Sequence, residues 1–79
     1  MSAISVAAPT NTVLPGAALE AARWIALAAA QDLPRAQILL GRMHEHGRGV
    51  GRDEVEAYAL YSRAARSGDP LGAELRARL

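Results

Sequence analysis

The sequence predicts an all-α protein, a short α-α superhelical stack of about four antiparallel helices with one full repeat between two half-repeats. Three observations support this prediction. Apolar residues recur at the spacing of an amphipathic helix in two separate segments. Glycine and proline punctuate the chain between the predicted helices. The two segments also match each other at a constant offset of 36 residues, as between Pro34 and Pro70, which is typical of stacked helical repeats.

Length and charge restrict the possible functions. The chain has 79 residues and no cysteine, so a small core must fold without a disulfide or a thiolate metal site. All nine basic residues are arginine, and they alternate with eight acidic residues to give a net charge of +1. We therefore expect no basic stripe for nucleic acid. The absence of lysine and the abundance of alanine fit a genome rich in G and C, and we interpret them as coding bias rather than as a sign of function.

Two regions of different composition divide the chain. Residues 1–16 carry no charged side chain, lack a helical period and contain two prolines, which predicts a flexible or extended N-terminal arm. Residues 17–79 are the predicted repeat domain. The arm has no basic start or long apolar run, so we expect no secretory signal and a cytoplasmic rather than periplasmic location. The longest apolar run, Trp24 to Ala30, is too short to span a bilayer.

The first two helices are predicted from apolar period and from helix-breaking residues. Helix one is expected from about Ala17 to Gln31, and helix two from about Pro34 to His46. Proline suits the first turn of a helix, and Gly47 is placed to end helix two in the left-handed conformation. The predicted packed face of helix one comprises Ala21, Trp24, Ile25, Ala28 and Ala29.

The last two helices follow a glycine-rich loop at residues 47–52. Asp53 and Glu56 have the spacing of a capping box, so helix three is expected from about Asp53 to Ser67. Helix four is expected from about Pro70 to Leu79, weakened by Gly72. The predicted packed face of helix three comprises Ala57, Leu60, Tyr61, Ala64 and Ala65.

Small residues, loop glycines and a helix cap occur at fixed spacing through the centre of the chain. Gly41 and the alanine pair of helix three permit close helix approach, Tyr61 fills the space beside them, and Val50 can enter the gap between two helices. Gly47 and Gly49 permit backbone angles that other residues avoid. The positions concerned are Ala36, Gly41, Gly47, Gly49, Val50, Asp53, Ala57, Tyr61, Ala64, Ala65 and Gly68.

This constellation resembles one full repeat of the Sel1-like repeat (SLR) family, which is related to the tetratricopeptide repeats. Residues 20–35 resemble the second helix of a preceding unit, and residues 70–79 resemble the first helix of a following one. Asp32 stands where the family usually has glycine. Arg76 and Ala77 stand where helix two has Leu40 and Gly41, so helix four is expected to act as a polar cap.

No group of residues predicts catalysis, a cofactor or a metal. His44 and His46 are two residues apart, so on a helix they point about 200° away from each other and cannot share a metal ion. The glycine-rich loop follows a helix and lacks lysine, unlike phosphate-binding loops. Neither Ser62 nor Ser67 has a recognisable base partner. We therefore expect a protein without enzymatic activity.

The resemblance implies a protein-protein interaction or adaptor module that holds another protein or a peptide on its helical surface. The predicted contact positions are Gln37, Arg42, His44 and Glu45. A stack this short also favours homo-oligomerisation or inclusion in a larger assembly. The alternative is a structural subunit or export-type accessory protein of a larger bacterial assembly, in which the N-terminal arm makes the key contact.

Overall fold

The computed structural model describes residues 16–79, which form four α-helices in succession. They are α1 (Ala17–Ala30), α2 (Pro34–His46), α3 (Glu54–Arg66) and α4 (Pro70–Arg78). Short connections make neighbouring helices antiparallel, and α2 touches α1, α3 and α4. This confirms the predicted all-α fold, with helix bounds within one residue of those expected. The contacts predicted for the N-terminal arm lie outside the described residues.

Two apolar clusters hold the helices together, and α2 contributes to both. The first cluster joins α2, α3 and α4, and the second joins α1, α2 and α3. Because α2 is packed from both sides, it is the central element of the described chain. The first cluster comprises Ile38, Ala57, Tyr61, Ala64 and Leu75. The second comprises Ala29, Ala36, Leu40 and Leu60.

Tyr61 is the largest fully buried side chain among residues 16–79 and lies where three helices meet. Its ring packs against Gly41 of α2 so closely that a Cβ at Gly41 would lie 2.6 Å from the ring. The Tyr61 hydroxyl donates a hydrogen bond of 2.7 Å to the Glu45 carboxylate. Burial, followed by this hydrogen bond, raises the pKa of Tyr61 well above its ordinary value.

Gly72 of α4 has a structural purpose that the sequence analysis missed. It is buried, and a Cβ there would lie 2.7 Å from the carbonyl oxygen of Tyr61 and 2.8 Å from the backbone nitrogen of Ala65. The sequence alone indicated only the low helix propensity of Gly72 and not this close contact. Its lack of a side chain lets α4 lie directly on the backbone of α3.

The face of α1 differs from the prediction in two positions. Ala22 and Ala29 are buried, and Ile25 is half-buried. Trp24 is 66% exposed and Ala21 is exposed, so their assignment to the packed face was wrong. The residue equivalent to Trp24 one repeat later, Leu60, is buried because α2, together with Ala29 of α1, covers it. Within residues 16–79, no helix takes that position against α1.

The loop between α2 and α3 ends one helix and begins the next with few residues. Gly47 has a φ of 66° and ends α2 in the left-handed conformation, as predicted. Asp53 caps α3 by accepting a hydrogen bond from the Glu56 backbone N–H at 3.0 Å. The Asp53 backbone N–H donates to the carbonyl oxygen of His44 at 2.8 Å, so the reciprocal half of the predicted capping box is replaced by a bond to α2.

The turn between α1 and α2 shows how aspartate substitutes for glycine. Asp32 has a φ of 61°, in the region where Gly68 has 100° one repeat later. Aspartate tolerates this conformation better than most residues. Its carboxylate accepts from Arg63 at 3.2 Å and from Gln37 at 3.4 Å. The strained turn is therefore tied to the ends of α2 and α3.

Helix α4 docks through one face and ends the described stack with another. Leu75 is buried in the first cluster, and Asp69 caps the helix by accepting from the Leu71 backbone N–H at 3.0 Å. Glu74 is exposed at the position that Ile38 occupies in α2, where the isoleucine is buried against α3. A charged residue at this position agrees with the expected polar cap.

The substitution Gly41→Ala tests the close contact with Tyr61. Overpacking of a core costs about 1–3 kcal/mol, whereas alanine gains up to about 1 kcal/mol of helix propensity. We expect a net loss of roughly 1–2 kcal/mol in the free energy of unfolding, measured by chemical denaturation. Gly51→Ala is the control, because no atom lies within 4 Å of a Cβ at that position. Equal stability of the two variants would contradict the packing account.

The substitution Tyr61→Phe tests the buried hydroxyl. At pH 7 the lost hydrogen bond should cost about 1 kcal/mol. The unfolded tyrosine releases its proton near pH 10, while the raised pKa keeps folded Tyr61 protonated. Stability of the native chain should therefore fall as the pH rises above about 10.

This alkaline loss of stability should be weaker in Tyr61→Phe and unchanged in Tyr58→Phe, since Tyr58 is 52% exposed. The chain has no lysine that would titrate in the same range. Denaturation midpoints between pH 8 and pH 11 provide the measurement. The account fails if Tyr58→Phe flattens the pH profile as much as Tyr61→Phe does.

Candidate protein-interaction surface

A groove runs between α1 and α2 on the side away from α4, and we call it the α1–α2 groove. Its volume is about 460 Å³. Alanine and isoleucine from α1 form one wall, and the exposed face of α2 forms the other. The lining residues are Ala17, Ala18, Ala21, Ile25, Leu39, Arg42, Met43, His46 and Arg48.

The local sequence explains why this groove is open. Three of the four α1 residues that line it are alanines, whose short side chains leave space above the helix. On α2, Leu39 lies between two buried residues, Ile38 and Leu40, and is itself 48% exposed. The helical turn of 100° per residue directs it away from both apolar clusters. The result is an apolar surface that the described helices leave uncovered.

The loop after α2 closes one end of the groove. Gly49 has a φ of 79°, and a Cβ there would collide with the carbonyl oxygen of Ala18. The same Cβ would lie 3.0 Å from the terminal methyl of Met43. Glycine at this position therefore lets the loop pack on the start of α1, which fixes Arg48 at the edge of the groove.

The groove has a cationic edge. The cations Arg42 and Arg48 line it beside the imidazole of His46, and no carboxylate does. None of these three side chains forms an ion pair or a side-chain hydrogen bond with residues 16–79. An apolar surface beside unpaired cationic groups is suited to a ligand that combines apolar side chains with negative charge.

Of the four predicted contact residues, the structure places Arg42 in the groove and the other three elsewhere. Gln37 is only 1% exposed, and its amide donates to the carbonyl oxygen of Ala29 at 3.3 Å. Its assignment to a partner contact was therefore wrong, because it joins α2 to the end of α1 inside the protein. Arg42 is exposed, and its role in partner binding stays a prediction.

His44 and Glu45 are half-buried and make contacts within the chain. The Nδ1 atom of His44 lies 3.2 Å from the carbonyl oxygen of Gly51, which ties α2 to the following loop. The Glu45 carboxylate accepts the hydrogen bond of Tyr61. In the described chain, both residues therefore stabilise the repeat.

Leu39, Met43 and Ile25 line the groove, although the sequence did not predict them as surface residues. Leu39 lies in a continuous apolar run, and Ile25 belongs to the predicted packed face. The available signal was the angular position of Leu39, which points away from Ile38 and Gly41 on a helical wheel. For Ile25 no sequence signal existed, since its exposure depends on whether another helix covers it.

Other surfaces of the described residues show fewer features of a binding site. A shallower depression of about 390 Å³ is formed by Val55, Tyr58, Leu79 and Glu54 near the end of α4. Among residues 16–79, no three His, Asp or Glu side chains converge as metal ligands would. None of the four described helices has the length and apolar character needed to cross a membrane. The α1–α2 groove is therefore the main candidate site.

Comparisons with known proteins agree with this architecture. The sequence model of the Sel1 repeat matches residues 34–69. A chitin synthase regulator of Saccharomyces cerevisiae, SKT5, is 42% identical over 50 residues, which are 63% of this chain and 7% of that protein. Chitin synthase regulatory factor 3 of Schizosaccharomyces pombe is 41% identical over 58 residues, which are 73% of this chain and 6% of that protein.

The chain thus spans less than a tenth of these relatives, and both are yeast proteins, which gives no support to the bacterial assembly of the alternative prediction. No solved structure matches the chain significantly. The matched segment runs from the proline that begins α2 to Asp69, which caps α4. It contains Gly41, the glycine-rich loop and Tyr61, which hold the fold together. The match at residues 34–69 confirms the resemblance of this part of the chain to the Sel1 repeat.

Proposed function

We propose that this chain is a non-catalytic adaptor module that binds a partner protein through the α1–α2 groove. The observation that carries the proposal is the exposed apolar lining of the groove. Leu39 is 48% exposed and lies opposite Ile25 and Ala21 of α1. Contiguous apolar surface rimmed by polar groups is typical of protein-interaction sites.

The family supports an interaction role. Sel1 repeats generally mediate contacts between proteins, and the two yeast relatives are named as a regulator and a regulatory factor. Regulation by a protein of this class fits a module that holds another protein in place. The matched segment is a small part of each relative. We therefore do not transfer the target of those regulators to this chain.

The groove is built to bind without reorganisation of its α2 wall. Two apolar clusters hold α2 on opposite sides, and Tyr61 fixes its position through Gly41. A preformed wall reduces the conformational entropy lost on binding. Covering the remaining exposed surface of a leucine such as Leu39 contributes roughly 1 kcal/mol. Several such contacts together can support binding in the micromolar range.

A matched pair of substitutions tests the groove. Leu39→Asp places a charge inside it, and Val55→Asp places the same charge at an 81% exposed site outside it. We expect Leu39→Asp to weaken binding of the native partner at least about tenfold, while Val55→Asp leaves binding unchanged. Circular dichroism melting of both variants controls for folding.

The partner is obtained by site-specific cross-linking in the native host. A photoreactive benzoylphenylalanine at position 39 should form a discrete adduct, whereas the same group at position 55 should not. Purified partner then serves for affinity measurements on both aspartate variants. Adducts of equal yield at both positions, or equal loss of affinity in both variants, would refute the proposal.

A further inference from the structure

We infer that the occupant of the α1–α2 groove is an acidic amphipathic α-helix supplied by the partner. This inference rests on the proposed function and specifies the chemistry of the ligand. The helix takes the same position relative to α1 and α2 that α2 takes relative to α3 and α4. Three features of the structure lead to this conclusion: repeat equivalence, the exposure of Trp24 and the charge at the edge.

Comparison of residues 36 positions apart indicates that the occupant of the groove is a helix. Shifting the groove by the 36-residue offset moves three of its apolar lining residues onto Ala57, Tyr61 and Leu75, which are buried, and moves Arg42 onto an exposed position. There the first apolar cluster surrounds Ile38 of α2. The same surface therefore covers a helix one repeat later and is uncovered between α1 and α2. The corresponding residues are Ala21 and Ala57, Ile25 and Tyr61, Leu39 and Leu75, and Arg42 and Arg78.

The floor of the α1–α2 groove leaves room for a larger residue on the occupying helix than α2 can carry at Gly41. One repeat later, the Tyr61 ring leaves room only for glycine at position 41. The equivalent of Tyr61 in α1 is Ile25, which is smaller and has no hydroxyl. An occupying helix therefore fits with alanine at the position equivalent to Gly41. It also needs no carboxylate equivalent to Glu45, whose acceptor role depends on the Tyr61 hydroxyl.

Trp24 marks the second contact of the occupying helix. Its equivalent, Leu60, is 2% exposed and packs in one cluster with Ala36 and Leu40 of α2. Trp24 is 66% exposed, because residues 16–79 supply no helix in the corresponding position against α1. A helix in the groove would cover this indole as α2 covers Leu60. Trp24 is also the one tryptophan of the chain, so its fluorescence reports on this contact alone.

The positive charge at the edge of the groove favours a ligand that is more acidic than any helix of residues 16–79. The guanidinium groups of Arg42 and Arg48 line the groove and favour a helix with carboxylates along its sides. Each of the four helices of this chain has at least as many arginines as carboxylates, so a helix from a second copy supplies no excess negative charge. Residues 1–15 contain no acidic side chain. Neither the helices of residues 16–79 nor residues 1–15 therefore supply the excess negative charge that the groove favours.

Two synthetic helical peptides of about 14 residues test the inference on the full chain. Both keep apolar residues at the α2 spacing, with alanine at the position equivalent to Gly41, and lack tryptophan. One carries glutamate at every flanking position and the other carries lysine. We expect the glutamate peptide to shift the Trp24 emission to shorter wavelength and to bind at least about tenfold more tightly than the lysine peptide. Raising the salt concentration should weaken this preference.

Substitutions in the chain provide the controls. Arg42→Glu combined with Arg48→Glu should reverse the preference in favour of the lysine peptide. Arg66→Glu, at an exposed position of α3 outside the groove, should leave the preference unchanged. Leu39→Asp should weaken binding of both peptides.

Each alternative gives a different result. Equal binding of both peptides, lost in Leu39→Asp, would refute the acidic ligand and leave the proposed function intact. Absence of binding by either peptide would refute the helical ligand, while cross-linking at position 39 would still decide the proposed function. Acrylamide quenching of the free chain tests internal occupants. Protection of Trp24 at all chain concentrations would show residues 1–15 in the groove, and protection that grows with concentration would show a second copy. Either result overturns the inference.

Discussion

The contact between Tyr61 and the small residues around it is the constraint on which the rest of the structure depends. The ring is fully buried, touches Gly41 of α2, and belongs to the cluster that also holds Leu75 of α4. The backbone of α3 at the same level approaches Gly72 of α4. Three helices thus meet where two of them offer only a hydrogen atom as side chain. Close packing of this kind determines the positions of α2 and α4 relative to α3.

The interaction surface follows from that constraint. Because one side of α2 is held against Tyr61 and another against α1, its remaining face is displayed without freedom to rotate. That face carries Leu39 and Arg42. The wall of the groove is therefore set by packing on the far side of α2, and a change in the core would alter the surface that a partner meets. Core and surface are coupled in this way because each helix of a repeat packs against two neighbouring helices.

Most of the fold could be predicted from the sequence, because local chemistry determines where each helix begins and ends. Pro34, Gly47 and Asp53 act through their own backbone angles and capping groups, so their neighbours in sequence suffice to interpret them. The buried face of α3 was also predicted correctly at Ala57, since that helix has neighbours on both sides.

The candidate site could not be predicted in the same way, for two physical reasons. Apolar periodicity indicates which residues are able to pack, but Trp24 shows that packing also requires a helix to be present opposite them. Gln37 was assigned to the partner-binding surface that the resemblance implies, whereas its amide donates to a carbonyl oxygen of α1 in the interior. The groove becomes apparent only when the exposed residues of α1 are compared with their covered equivalents in α3.

The central claim is that the α1–α2 groove holds a helix in the position that α2 occupies one repeat later. The most direct measurement is nuclear Overhauser spectroscopy of the full chain bound to the glutamate peptide. The account predicts intermolecular contacts from the peptide to the side chains of Ile25, Leu39 and Trp24 at once, with helical contacts inside the peptide. Contacts concentrated at Val55 and Tyr58, or an extended peptide in the groove, would contradict it.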